Sequence, residues 1–153
     1  MSTTRSTRHS SFTIERAYPV SPARMYAAWS EPAAKAKWFC GPRDAWTPIE
    51  RTMDFRVGGH ERVEGRFASG MVSRFACYYQ DIVPGERIVY SYTMHIDGKP
   101  ISVSVACIEL KPKGNGTQLT ITEHGVFLDE YDDAGSREQG TRALLEQLAA
   151  SFE

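Results

Sequence analysis

The stretch Asp81-Ile82-Val83-Pro84-Gly85-Glu86-Arg87-Ile88 (DIVPGERI) joins two runs rich in β-branched and aromatic residues, 71–83 and 87–96, through a Pro-Gly pair. So short a connection permits only antiparallel neighbours, because a parallel return needs a crossover of about a dozen residues or more. The same punctuation recurs along the chain. Segments 45–57, 60–67, 71–83, 87–96, 101–111 and 117–124 are all rich in Val, Ile, Tyr, Phe and Thr, and between them stand Gly58-Gly59, Ser69-Gly70, Pro84-Gly85, Asp97-Gly98 and Asn115-Gly116. Asp-Gly and Asn-Gly are the pairs favoured in two-residue hairpins. This pattern predicts a six-strand antiparallel meander.

Upstream, Phe12, Ile14 and Tyr18 fall on one pleat face and predict a first strand that ends at Pro19 and joins the meander at an edge. Ser21-Pro22 has the chemistry of a helix start, and Met25, Ala28 and Trp29 follow at helical spacing. Glu31-Pro32 starts a second short helix, expected over Ala33–Phe39. Near the C-terminus, Ser136 and Gln139 have the spacing of a capping box, and Ala143, Leu144, Leu145, Leu148, Ala149 and Phe152 form a broad apolar stripe. That stripe must be buried against something large. The expected fold is α+β: a curved seven-stranded antiparallel sheet wrapped around a long C-terminal helix, with two short helices after strand 1 closing one end. Residues 1–11 are expected to be a disordered lead-in and 12–153 a single domain.

Composition narrows the function classes. Hydrophobic residues make up 41% and charged residues 24% of the chain, as in ordinary globular domains. A net charge of -1 supplies no field for phosphate backbones or anionic lipid, so neither nucleic acid nor membrane is an expected partner. Arg5, Arg8 and His9 have no apolar core behind them, so the N-terminal stretch does not read as a secretory signal and the cytoplasm is the default compartment. Cys40, Cys77 and Cys107 show no metal-ligand spacing and are read as reduced thiols; His9, His60, His95 and His124 are equally scattered. Neither a metal nor a cofactor is implied.

Several local motifs sharpen the fold. They are Ile14-Glu15-Arg16, Ser21-Pro22 through Trp29, Pro32, Trp38 with Gly41-Pro42, Asp54-Phe55-Arg56-Val57-Gly58-Gly59, the DIVPGERI turn and Gly116-Thr117-Gln118-Leu119-Thr120. In this order, from about residue 12 to the end, the chain resembles the family related to the C-terminal domain of the activator of the Hsp90 ATPase, within the START and Bet v 1-like, or helix-grip, superfamily. The resemblance implies a cavity between sheet and last helix. Members of that superfamily bind lipids, hormones, polyketides or chaperones, and some are cyclases, dehydratases or hydrolases, so the fold alone does not choose a function. One departure is visible: relatives usually carry Gly-Trp near the start of the last helix, where this chain has Gly140-Thr141. Loss of that indole enlarges the cavity mouth unless Tyr131 or Phe127 refills it.

Alternation nominates the wall of that cavity. Ile88, Tyr90, Tyr92 and Met94 form one apolar row, expected to face inward; Phe75, Cys77 and Tyr79 share one face of the preceding strand, and Arg74, Ala76, Tyr78 and Gln80 the other. The candidate ligand-cavity residues are Phe75, Tyr78, Tyr90, Tyr92 and Met94, with Leu145 and Leu148 from the last helix and Arg56 as a partner for a ligand carboxylate. Asp54 lies two residues from Arg56, within ion-pair reach. Arg62, Glu64 and Arg66 read as a solvated face, and Glu123 and His124, being adjacent on a strand, point to opposite sides. No Gly-x-Ser-x-Gly elbow is present, and Cys40, in Lys37-Trp38-Phe39-Cys40-Gly41-Pro42, sits where the second helix stops, the wrong end of a helix to activate a thiol. No catalytic residue is nominated.

The expected function is therefore binding of a small apolar or aromatic ligand. Two alternatives accompany it: a module that contacts an Hsp90-type chaperone, and a cyclase- or dehydratase-type enzyme using a cavity tyrosine or His95 as acid. Exposed strand and helix surfaces leave a homodimer open.

Overall fold

At the Pro84-Gly85 turn the chain reverses with Gly85 at φ +78° and the Glu86 N–H donating to the Val83 carbonyl at 2.9 Å. Proline then glycine at the two central positions is what a type II turn requires. The structure, a computed structural model, describes residues 5–130 and 134–153. Its elements are β1 (Thr7–Tyr18), α1 (Pro22–Ser30), α2 (Pro32–Ala36), β2 (Trp46–Met53), β3 (His60–Phe67), β4 (Val72–Val83), β5 (Arg87–Ile96), β6 (Lys99–Lys113), β7 (Gly116–Leu128) and α3 (Ala134–Ala150). They form one curved antiparallel sheet of seven strands in the order β1-β7-β6-β5-β4-β3-β2, so the meander is complete and β1 closes its far edge.

The turns follow their sequences with one shift. Asp97 and Gly98 both take positive φ, the two-residue turn that the right-handed strand twist favours. Between β6 and β7, Lys113 pairs with Gly116, so the central residues are Gly114 and Asn115 rather than the expected Asn115-Gly116. Gly116 belongs to the strand, where an added Cβ would lie 2.2 Å from the Tyr18 carbonyl oxygen.

β1 begins at Thr7, inside the segment expected to be a disordered lead-in, and its pairs run from Thr7↔Leu128 to Tyr18↔Thr117. The cause is β7, which continues past its expected end at His124 and presents an open row of backbone donors and acceptors that Thr7–Ser11 pair with. Asp129 fastens the start of this pairing, accepting from the Ser6 N–H at 3.0 Å and from Arg5 at 2.7 Å.

α1 is capped by Ser21, whose side chain accepts from the Arg24 N–H. α2 ends at Ala36, three residues before the expected Phe39, because the chain turns there to drive the Trp38 indole inward. α3 starts at Ala134, which leaves Ser136 inside the helix rather than at its cap; Tyr131 lies outside the described residues.

Leu145 and Leu148 of α3 are fully buried against the sheet, and the Tyr18 hydroxyl donates to the Leu145 carbonyl at 3.2 Å. Phe75, Cys77, Tyr79, Ile88, Tyr90, Tyr92, Ile108, Leu119 and Ile121 supply the inner face of the sheet. Cys40, Cys77 and Cys107 are all free thiols.

Two glycines hold Trp46 in place. An added Cβ at Gly65 would lie 2.0 Å from the indole, and one at Gly41 would lie 2.4 Å from it. Gly65→Ala is expected to destabilise the protein by about 1–3 kcal/mol through overpacking. A melting temperature equal to wild type would show that Trp46 moves aside freely.

Candidate functional site

Between the sheet and α3, with the α2–β2 connection at the rim, lies a cavity of about 420 Å³. Its walls are mainly aromatic: Phe75 packs against Tyr92 with ring centres 5.0 Å apart and edge-on against Phe39 at 4.9 Å, while Trp38 and Trp46 close the rim side. Tyr90 and Met94 continue the wall along β5, and Leu144 and Leu145 cover it from α3.

The nominated residues divide by position. Phe75, Tyr90, Tyr92, Met94 and Leu145 come together around this cavity. Leu148 is fully buried one turn further along α3, in the core rather than on the cavity wall. Tyr78 is not on the wall. It is 39% exposed on the outer face, edge-on to His60, because Phe75 and Tyr78 are three apart and strand alternation sends them to opposite sides. Arg56 is also misplaced: it sits in the exposed turn before β3, where its Nε donates to Asp54 at 2.8 Å. A solvated ion pair, rather than a ligand, takes up its charge. His95 lies outside the cavity; burial, then the nearby Arg74 charge, lowers its pKa.

The polar end of the cavity joins the nominated Tyr92 to two residues that composition and spacing did not nominate, Glu123 and Arg137. Glu123 on β7 is 4% exposed and accepts a short hydrogen bond from the Tyr92 hydroxyl. Arg137 on α3 donates to the Tyr92 oxygen at 3.0 Å and to Ser102 at 2.7 Å, and its Nη1 is 4.0 Å from Glu123. Burial raises the Glu123 carboxyl above the ordinary range, against the opposing pull of the Tyr92 hydrogen bond and the Arg137 charge. Burial also raises the Tyr92 hydroxyl, with the neighbouring Glu123 charge adding to it, so this tyrosine stays protonated at neutral pH. One signal for Glu123 was in the sequence. It shares parity with Leu119 and Ile121, which places a carboxylate in an apolar row.

A second buried polar group stands behind the aromatic wall. Lys35 on α2 and Glu61 on β3 are each 1% exposed, and Lys35 Nζ is 2.6 Å from Glu61 Oε1. The Tyr79 hydroxyl donates to the same oxygen at 2.6 Å. The ammonium is also caged by rings, lying 4.4 Å from the centre of Phe39, 5.8 Å from Tyr90 and 6.0 Å from Phe75. Glu61 shares parity with Val63, so its inward direction was also readable. Its lysine partner was not.

The Trp38–Pro42 segment is the rim. Gln147 of α3 donates from Nε2 to the carbonyls of Trp38 at 2.6 Å and Cys40 at 3.0 Å, tying the last helix to this loop. Thr141 also faces the cavity, while Phe127 is buried beneath the Arg137 guanidinium, 5.2 Å from its ring, and does not line the cavity. Among the described residues no three metal-ligating side chains converge, and no helix is long and apolar enough to cross a membrane.

A sheet closed by a C-terminal helix over a cavity is the helix-grip arrangement, and the family model described as Activator of Hsp90 ATPase homolog 1-like protein matches residues 19–153. The chain belongs to this family. Similar proteins of solved structure include an uncharacterised protein from Rhizobium leguminosarum, 38% identical over 97% of both chains with a TM-score of 0.92. A protein from Rhizobium loti is 46% identical over 95% of this chain and 99% of its own, with a TM-score of 0.87. One from Chromobacterium violaceum is 30% identical over 92% and 94%, with a TM-score of 0.74. None of the curated proteins matches the sequence. Membership places the chain among ligand-binding or chaperone-associated modules.

Proposed function

We propose that this member of the family is a binding protein for a small, largely apolar ring compound held between the sheet and α3, with no catalysis assumed. The observation that carries the reading is an aromatic-walled cavity of about 420 Å³ whose charged lining residues, among those described, are Glu123 and Arg137. That volume equals the liquid share of about 14 water molecules, room for a ligand on the order of 15–20 non-hydrogen atoms. An apolar space of this size, left vacant, forgoes the dispersion contacts a ligand would supply.

Native mass spectrometry of the purified chain is expected to reveal a co-purified small molecule, or uptake of an added fluorescent ring compound. Failure of both would reject the reading. Thr141→Trp restores the indole that relatives usually carry and projects it into the cavity mouth. It is expected to weaken ring-compound binding by about tenfold, the loss of about 1.4 kcal/mol, without lowering the melting temperature. Unchanged affinity would place the ligand elsewhere.

Chaperone association is the second reading, favoured by the family match alone. Stimulation of an Hsp90-type ATPase by the purified chain would establish it.

A further inference from the structure

We infer that the ligand is a neutral ring compound bearing a hydroxyl group, anchored by donating that hydroxyl's proton to Glu123. The inference rests on the ligand-binding reading and deepens it, from the charges that surround the cavity.

Among the described residues, Arg137 and Glu123 are the charged groups that line this space, the Lys35–Glu61 pair is buried beside its aromatic wall, and each of these two cations has an anion at hand. Lys35 is held by Glu61 at 2.6 Å, and Arg137 lies 4.0 Å from Glu123. An anionic ligand would enter a low-dielectric space beside the Glu123 carboxylate, with both cations already neutralised, and would lose its hydration for little return. A cationic ligand meets a different obstacle. Aromatic faces attract cations, but Phe39, Phe75 and Tyr90 already hold the Lys35 ammonium within 6.0 Å of their centres, and Lys35 itself does not line the cavity. A second positive charge against the same rings would be repelled through them.

What remains unanswered at the polar end is an acceptor. Tyr92 and Arg137 both address Glu123 through Oε1. Among the described residues Oε2 makes no hydrogen bond, and Glu123 lines the cavity. A ligand O–H supplies the donor that this oxygen lacks, and the rings of Phe75 and Tyr92 provide the surface on which an aromatic body stacks.

Fluorescence titration of the full chain at pH 7 with three probes of one shape tests this: 2-naphthol, 2-naphthoate and (2-naphthyl)methylammonium. Naphthol is expected to bind at least about tenfold more tightly than either ion, the factor that one hydrogen bond to a charged group confers. Either ion binding as tightly as naphthol overturns the inference and leaves the ligand-binding reading standing. Absence of binding by all three, with the chain folded, overturns both. Glu123→Gln keeps an acceptor for Tyr92 but removes the charge. It is expected to reduce the preference for naphthol over naphthoate by about tenfold. A preference unchanged in a variant of wild-type melting temperature overturns the role of Glu123. If that variant does not fold, the wild-type probe series still decides.

Discussion

Replacing Glu61 by alanine is expected to lower the stability of the fold by about 3–5 kcal/mol, because the Lys35 ammonium would remain buried without its counter-charge. Both residues are 1% exposed, so water cannot take the place of the missing carboxylate. The Tyr79 hydroxyl, which donates to the same Glu61 oxygen at 2.6 Å, would lose its acceptor as well. The pair is not optimal even when intact, since Glu61 Oε2 is buried without a hydrogen-bond partner. Attraction between the charges therefore offsets their desolvation only in part, and removing both charges should be far milder than removing one. The double variant Lys35→Met, Glu61→Gln retains an acceptor for Tyr79 and fills the space under Phe39. It is expected to recover most of the loss. Urea denaturation checks both variants, and a single-variant effect below about 1 kcal/mol, the range of exposed pairs, would mean that water reaches Lys35.

Trp38→Ala is expected to destabilise the protein by about 3–5 kcal/mol and to abolish the closed rim of the cavity. The indole is 1% exposed, packs edge-on against Trp29 with centres 4.7 Å apart, and donates from Nε1 to the Ala28 carbonyl at 3.0 Å. One side chain thus fastens α1, the end of α2 and the rim together. Its backbone carbonyl does the same for α3, through Gln147. Trp38→Phe keeps most of the ring contact and loses the hydrogen bond, so it should cost about 1–2 kcal/mol, a cavity-sized remainder plus an unpaired carbonyl. Equal effects from the two variants in thermal or urea unfolding would show that the hydrogen bond, not packing, dominates.

The same tryptophan shows how far local sequence carries. Gly41-Pro42 reads as the stop of the second helix, yet the helix ends at Ala36 with Lys37 as its cap and Gly41 takes no positive φ, because burial of Trp38 competes with further helical turns. In the strands, alternation put Phe75, Tyr90, Tyr92 and Met94 on one face, where they now border a cavity. Tyr78 has the outward parity of its strand, and Arg56, whose chemistry suits a carboxylate, lies in a turn that exposes it. Glu123 and Glu61 are the opposite case. A charged residue within a strand reads as solvated until the inward parity of its neighbours is taken literally.

By itself the sequence determined the strand count, the antiparallel meander, the three helices and the pleat faces, since each depends on turns and periodicities a few residues long. Tertiary structure alone decided which buried polar groups meet. Lys35 reaches Glu61 across 26 positions, Tyr92 reaches Glu123 across 31, and Arg137 reaches Ser102 across 35. Such pairs leave no local periodicity, because each partner is positioned by a different element and the contact exists only once those elements have come together.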